Sequence, residues 1–294
     1  MSSYTADHVT TERPQQFDER TLRHPRERIV FAVFVVLNFA VLAGAVLVMR
    51  MHPPWLGKHP FVDKQIQALR GLALAGAIAA PATVLLRNRR WAETRLNGIQ
   101  LSPAQIPGLH AILVRECAVF GMTEIPALYL TATESHIARA YTAWGKRTYI
   151  ALGVSLLQPD LDKISDVMGF HIGREIGRIR LGHTEWWHEL LLAYVVRIPI
   201  LRNPLMHLRT YSADRYGAFL QPDGVRGLVA VASGRLMLPA VDVSESLRHV
   251  PEARGFVALL GQLGRPEPPV ARRVRELYDL GLFTRTAGPS RPSR

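Results

Sequence analysis

The sequence predicts an α+β chain, mostly helical, in which an N-terminal two-helix transmembrane hairpin precedes a globular domain with a small sheet. Three observations carry that expectation. Residues 29–49, IVFAVFVVLNFAVLAGAVLVM, run for 21 positions without a charge. A second apolar run of 16 residues, GLALAGAIAAPATVLL, lies between Arg70 and Arg87. From about residue 98 onward the pattern becomes one amphipathic helix, then short strands, then a long series of helical segments.

The first run is long enough to cross a hydrocarbon core of about 30 Å as a helix, with Asn38 its one strongly polar member. Two readings compete with a membrane span. A signal peptide would not follow 28 polar residues, nor run this long. A buried core helix is the other, though a polar face is missing. The second run is shorter and carries Pro81, but flanking Arg70 and Arg87 can snorkel and extend its reach. Helices are therefore expected at about 29–49 and 69–86, forming a hairpin over 29–87 with the loop from Arg50 to Gln67 on the far side.

Flanking charge orients the hairpin. Arg20, Arg23, Arg26 and Arg28 precede it and Arg87, Arg89, Arg90 and Arg95 follow it, against Arg50, Lys58 and Lys64 in the loop. The bias puts the polar segment 1–28 and the domain at 98–281 on the cytoplasmic side of a cell membrane, with a polar tail at 282–294. The lipid bilayer is thus the first expected partner.

Composition narrows the classes. The chain is 48% hydrophobic and 20% charged, which excludes disorder. One cysteine, Cys117, excludes an intrachain disulfide framework and any Cys-rich zinc module. The net charge of +12 is carried almost wholly by arginine, since only Lys58, Lys64, Lys146 and Lys163 are lysines. Such an excess suits a membrane surface, a polyanion or a coding bias. No basic helix with interleaved aromatics argues for a nucleic-acid groove, so no nucleic acid is expected.

In the domain, Ser102-Pro103 reads as a helix start, with Ile106, Leu109, Ile112, Leu113 and Phe120 at helical spacing and Gly121 as the stop. PALYLTA (126–132), the stretch from His136 to Thr142 and RTYIAL (147–152) read as strands, the last two joined by a turn at Trp144-Gly145-Lys146. Helical segments are expected near 160–182, 186–200, 204–220, 223–237, 251–263 and 269–280. The apolar stretch 190–206 is too short to span and holds Arg197 and Arg202, so an interfacial or half-buried helix is expected there, with Trp186 and Trp187 in an interfacial belt.

The helix FHIGREIGRIRLGH (170–183) is the informative one. At 100° per residue His171, Arg174, Glu175, Arg178 and Gly182 share a stripe, beside an apolar stripe of Met168, Ile172, Ile176 and Ile179. A polar stripe of this kind is either a solvated face with an i, i+3 ion pair or the lining of a polar cavity. His171, His183 and His188 with Glu175 form a further, independent metal-site candidate, against which His183 and His188 read as surface residues.

At these residues the chain resembles the HtpX-like family of integral-membrane zinc metallopeptidases, relatives of the CAAX prenyl protease. The family helix H-E-L-G-H-I-R-x-G-H is matched in register by Arg174-Glu175-Ile176-Gly177-Arg178-Ile179-Arg180-Leu181-Gly182-His183. Its downstream E-x-x-A-D-R-x-A reads Thr210-Tyr211-Ser212-Ala213-Asp214-Arg215-Tyr216-Gly217. Ala138-Arg139-Ala140-Tyr141 resembles the N-A-F edge strand, and Pro268-Pro269-Val270-Ala271-Arg272-Arg273-Val274 resembles the terminal H-P-P-x-x-x-R-[IV] element, with Glu267 where His is usual. The resemblance covers roughly residues 100–280 and implies a zincin-like metallopeptidase domain.

The same register removes the family's metal. Two imidazoles at i and i+4 and a Glu on the next helix hold zinc, and the Glu inside the motif is the general base. Here Arg174, Arg178 and Thr210 stand at the three ligand positions, while Glu175 keeps the base position and Asp214 the orienting one. Guanidinium has no lone pair to give a cation. The resemblance therefore implies an inactive pseudopeptidase with no cofactor and no metal. Arg174 or Arg178 is expected to bond Glu175 or Asp214 and fill the former site, while an ordinary salt bridge to Arg215 or another Arg is the plainer role for Asp214. Arg139, Ala140 and Tyr141 form the implied peptide-binding edge, and peptide segments or another membrane protein are the implied partners. An active zinc endopeptidase using non-standard ligands and a scaffold subunit beside an active paralogue remain the alternatives.

Overall fold

The computed structural model describes residues 18–50, 60–132, 138–143, 147–153, 165–197, 199–233 and 265–282, together with Val241 and Gln262. Among them the chain is mostly helical with one small mixed sheet. Two long helices lead: α1 (Glu27–Arg50) and α2 (Pro60–Asn97). By length and composition both can cross a membrane. Their apolar side chains are not packed inside the protein, since Val33, Val36, Phe39 and Leu47 of α1 and Leu74, Ile78 and Leu85 of α2 are all exposed. The second helix is longer than the apolar run within it. At 1.5 Å per residue its 38 residues reach about 57 Å, so one end extends well past an apolar layer of about 30 Å. Pro81 lies inside α2 without ending it.

That extension of α2 covers the sheet. Strands β1 (Ile99–Gln100), β2 (Ala127–Thr131), β3 (Ala138–Thr142) and β4 (Thr148–Gly153) lie in the order β1-β2-β4-β3, with β2 and β4 parallel and the other pairs antiparallel. Trp91 of α2 packs on Tyr129, Tyr149 and Ala151 on one face of the sheet. The other face, carrying Leu128, Leu130, Ile150 and Leu152, meets Leu109, Leu113 and Cys117 of α3 (Pro107–Val119) and Met168, Ile172 and Ile176 of α4 (Ser165–Arg180). The apolar stripe expected on α4 is thus the domain's main core face.

Helix α4 is gripped on its other side by α6 (Pro199–Leu220), which follows the short α5 (Trp186–Leu191) and a 3-10 turn at Val195–Arg197. Glycines set the approach. A Cβ at Gly177 would lie 2.5 Å from Tyr216 Cβ, and one at Gly217 would lie 2.6 Å from the Phe170 carbonyl oxygen. Replacing Gly177 by alanine should cost about 1–3 kcal/mol, because the root of the buried Tyr216 ring cannot swing aside as a flexible side-chain end could. Gly108→Ala in α3, with open space around its Cβ, should be neutral or slightly stabilising by about 0.5 kcal/mol. Thermal unfolding of the two variants checks the pair. Helices α7 (Arg226–Ser233) and α8 (Val270–Asp279) close a second core through Leu228, Val229, Val274 and Leu277 against Phe170 and Ala218.

Several boundaries differ from expectation. The domain's first helix begins at Pro107, which takes the first-turn position that Pro103 was expected to hold, behind a left-handed Ile106; Ser102 instead pairs with Gln105 across a tight turn. Strand β1 is an addition, too short to show a period. The 186–200 segment is two pieces, and α6 starts at Pro199, continuing through Pro204. The segment expected to be half-buried does dock on the hairpin: Tyr194 N–H donates to Asn38 Oδ1 at 2.8 Å, and its ring fills the space left by Gly76. The Trp144–Lys146 turn, the segment 251–261 and the tail from 283 lie outside the described residues, although Ala143 N–H donates to the Arg147 carbonyl on either side of that turn. The polar segment before α1 is also anchored: Glu19 binds Arg180 and Tyr216, and Leu22 is fully buried.

Candidate functional site

The polar stripe of α4 faces inward. Arg174 and Glu175 are buried, and Arg178 is 13% exposed at its side chain. The antiparallel crossing that sets Gly173 on Gly217 also sets Arg174 on Asp214 of α6, with Nε donating to Oδ1 at 2.6 Å. One helical turn on from Arg174 is Arg178, and one turn back from Asp214 is Thr210, so the same register puts these two level across the crossing. Asp214 is held from the far side by Arg273 of α8, whose Nε and Nη2 donate to Oδ2 at 2.7 Å and Oδ1 at 2.8 Å. Burial alone would raise the Asp214 carboxyl, but the Arg273 and Arg174 guanidiniums outweigh it and hold it below its ordinary range. Asp214 thus takes Arg174, one of its expected partners, while Arg215, the plainer alternative, pairs with Glu276 at 2.5 Å.

Glu175 takes two partners. Arg178 Nε stands 3.3 Å from its Oε1, and the Ala140 N–H of β3 donates to its Oε2 at 2.7 Å. Strand β3 is the last in the sheet, and the Ala140 N–H points away from β4. Two residues on, the Thr142 carbonyl accepts from Arg87 Nε and Nη2 of α2 at 3.2 and 2.8 Å. The expected peptide-binding edge at Arg139, Ala140 and Tyr141 is therefore already engaged within the chain. A peptide adding to β3 would have to displace Glu175 and Arg87.

Glu267 closes the cluster from above α8, 3.4 Å from Arg273 Nη1 and 3.8 Å from Arg139 Nη1. Burial would raise its carboxyl, yet Arg174, Arg273, Arg178 and Arg139 bring it down to about 2. Four arginines and three carboxylates thus occupy one volume between α4, α6, α8 and β3. His171, on the same stripe, contacts the Gly227 carbonyl oxygen; burial, with Arg174 and Arg273 nearby, pushes its imidazole down to about 3, so it is neutral.

This donor set does not fit a divalent cation. Two of the three positions where the resembled family has ligands carry guanidiniums, and the Thr210 hydroxyl donates within its own helix to the Met206 carbonyl at 2.8 Å. Among the described residues no group of three or more His, Cys, Asp or Glu side chains is arranged to hold a metal ion. The independent cluster of His171, His183 and His188 does not assemble, and the latter two are not surface residues. His183 Nε2 lies 2.8 Å from Glu27 Oε1, and His188 is buried against Phe31 and Trp187.

Three charged residues have roles that the sequence left open, Arg273 having been named only within the terminal element. Arg273 lies on the face that buries Val274 and Leu277, a phase that places its charge inward. Glu116 falls on the stripe of Leu109 and Leu113 and is buried at 1% exposure. Arg209 sits over Phe31 near the start of α1. No known family model, curated protein or solved structure matches this chain.

Proposed function

We propose that this protein is a membrane-anchored pseudopeptidase, related in design to HtpX-like zinc metallopeptidases but without their metal, and that it acts by binding in the membrane rather than by hydrolysis. The observation that carries this reading is Arg174 seated on Asp214, with Glu175 turned onto the β3 edge. A guanidinium stands where the resembled motif has its first zinc ligand, and the general-base carboxylate is spent on a backbone N–H. A water held there would gain no Lewis-acid activation, so Glu175 has nothing of lowered pKa to deprotonate.

The membrane side of the reading rests on two long helices whose apolar side chains remain exposed, and on Asn38 satisfied by the backbone of Tyr194 rather than left facing lipid. In this arrangement the chain is a multi-pass protein of the cell membrane, with the N-terminal segment and the domain both on the cytoplasmic side. The filled β3 edge favours a scaffold or regulatory role toward another membrane protein over capture of extended peptides.

Metal analysis of the purified full-length protein in detergent tests the proposal. The wild type is expected to carry no stoichiometric zinc after exposure to it. The triple variant Arg174→His, Arg178→His, Thr210→Glu restores the resembled ligand set and is expected to take up zinc one-to-one. Stoichiometric zinc on the wild type would overturn the metal-free reading. A folded triple variant that ignores zinc would remove the family relationship.

A further inference from the structure

Where α1 begins, arginines gather without enough acid. Arg209 of α6 lies over the Phe31 ring, 5.6 Å from its centroid, and makes no hydrogen bond or ion pair among the described residues. Its Nε is sealed from solvent with no partner, as is the Nε of Arg202, two helical turns earlier on the same face of α6. Arg178 and Arg23 stand near enough to repel Arg209.

The carboxylates in range are committed elsewhere. Glu27 accepts from Arg23 Nε and Nη2, His183 Nε2 and the Ser212 hydroxyl. Glu189 pairs with Arg87 at 3.0 Å. The two imidazoles that border the cluster, His183 and His188, each leave a buried Nδ1 without a partner, and burial pushes both down to about 4. Being neutral, these histidines add no positive charge to the cluster and leave the arginines as its only cations. Exposed Trp186 and Trp187 of α5 stand beside this cluster, the side chains that settle at the headgroup level of a bilayer.

Three arginines with unspent Nε donors, at the start of an apolar helix and flanked by exposed indoles, match the chemistry of one ligand class. We infer that Arg209, with Arg178 and Arg202, forms a binding site for a phosphate group presented at the membrane surface. The guanidinium fork suits the tetrahedral oxygens, and the group supplies the counter-charge that the protein lacks. The site rests on the membrane-anchored reading above for its lipid source; inorganic phosphate is the other source of the same chemistry.

The test uses the full-length protein in delipidated, phosphate-free maltoside micelles and reads its thermal midpoint. Dioleoylphosphatidylglycerol should raise the midpoint by about 4 °C, while dioleoylglycerol, with the same chains and no phosphate, should not. Inorganic phosphate giving the same shift would keep the site and assign it to a soluble ion. Arg209→Gln should remove the shift with little change in the lipid-free midpoint, because that side chain has no hydrogen bond to lose and its contact with the Phe31 ring is offset by relief from Arg178 and Arg23. Arg209→Lys should retain part of it, and Arg275→Gln on the exposed face of α8 all of it. An equal response to dioleoylglycerol, or an undiminished response in Arg209→Gln, overturns the site. Flotation with phosphatidylglycerol vesicles separates the two readings. A protein that fails to float yet responds to phosphate loses the anchor and keeps the site; one that floats without responding keeps the anchor and loses the site.

Discussion

Asp214→Ala is expected to cost about 3–5 kcal/mol and to lower the thermal midpoint by roughly 10 °C, the largest loss of any single polar substitution in this protein. The reason is an asymmetry of charges. Asp214 is fully buried and is the shared acceptor of Arg174 and Arg273, whose side chains are also almost wholly buried. Removing the carboxylate leaves two guanidiniums facing each other with no intervening anion. Removing one guanidinium instead leaves Asp214 with a bidentate partner still in place. Arg174→Met should therefore cost much less, about 1–2 kcal/mol. If Asp214→Ala and Arg174→Met were equally damaging, Asp214 would be no shared counter-ion and the account of the filled site would fail.

The same centre gives a pH signature. The Asp214 carboxyl is held below its ordinary value in the folded chain, so its contribution is fully present above the unfolded value of about 3.9. Stability from this group is lost as pH falls through the folded value, and the wild-type advantage over Asp214→Ala should shrink in that acid range. Reconstructing the centre as Arg174→Met, Asp214→Leu, Arg273→Met removes Asp214 together with both of its guanidiniums, leaves Glu267 to Arg139, and should recover most of the loss. Thermal melts of the three variants in one detergent check the series.

How far the sequence leads is clear from particular residues. Apolar periodicity placed the two long helices, three of the four strands and the α4 core face, because burial and a fixed repeat write themselves into residue order. The pairing of Arg174 with Asp214 was one of the expected contacts, since both lie in the stretches that carry the resemblance. Arg273 was harder, as its meeting with Asp214 joins segments 59 positions apart and depends on how α8 packs. The inward turn of Glu175 onto Ala140 could not be read at all, because a strand's free edge and the helix beside it are set by tertiary packing. His183 and His188 were misplaced for the same reason: a polar type near a helix end reads as surface until the N-terminal segment folds back over it.

Glu116 supplies the second large effect, and it runs in the opposite direction. Its carboxylate is buried between α3 and α4, both oxygens lack a hydrogen-bond partner, and its neighbours are the backbone at Gly169 and Gly173, where added Cβ atoms would lie 3.2 and 3.4 Å from those oxygens. Burial pushes its carboxyl up to about 8, only partly offset by Arg115. The folded chain therefore holds a proton that the unfolded chain releases near pH 4.5, and between these values stability falls as pH rises. The slope approaches about 1.4 kcal/mol per pH unit in the middle of that window. Glu116→Gln abolishes the titration, so the variant should be more stable than wild type by roughly 2–4 kcal/mol at pH 8.5, with the amide's own unmet hydrogen bonds trimming the gain. At pH 4.5 the difference should vanish. The measurement is a pair of thermal melts at each pH, with Gln221, whose amide donates to Asp166 Oδ1 at 2.7 Å, left unchanged as the neighbouring polar group. A wild type whose midpoint is flat from pH 5 to 8.5 relative to Glu116→Gln would mean that the carboxyl finds a partner and is ionised throughout. A gain confined to high pH would identify Glu116 as the residue that sets the alkaline limit of the fold, loosening α3 from α4 when its proton leaves.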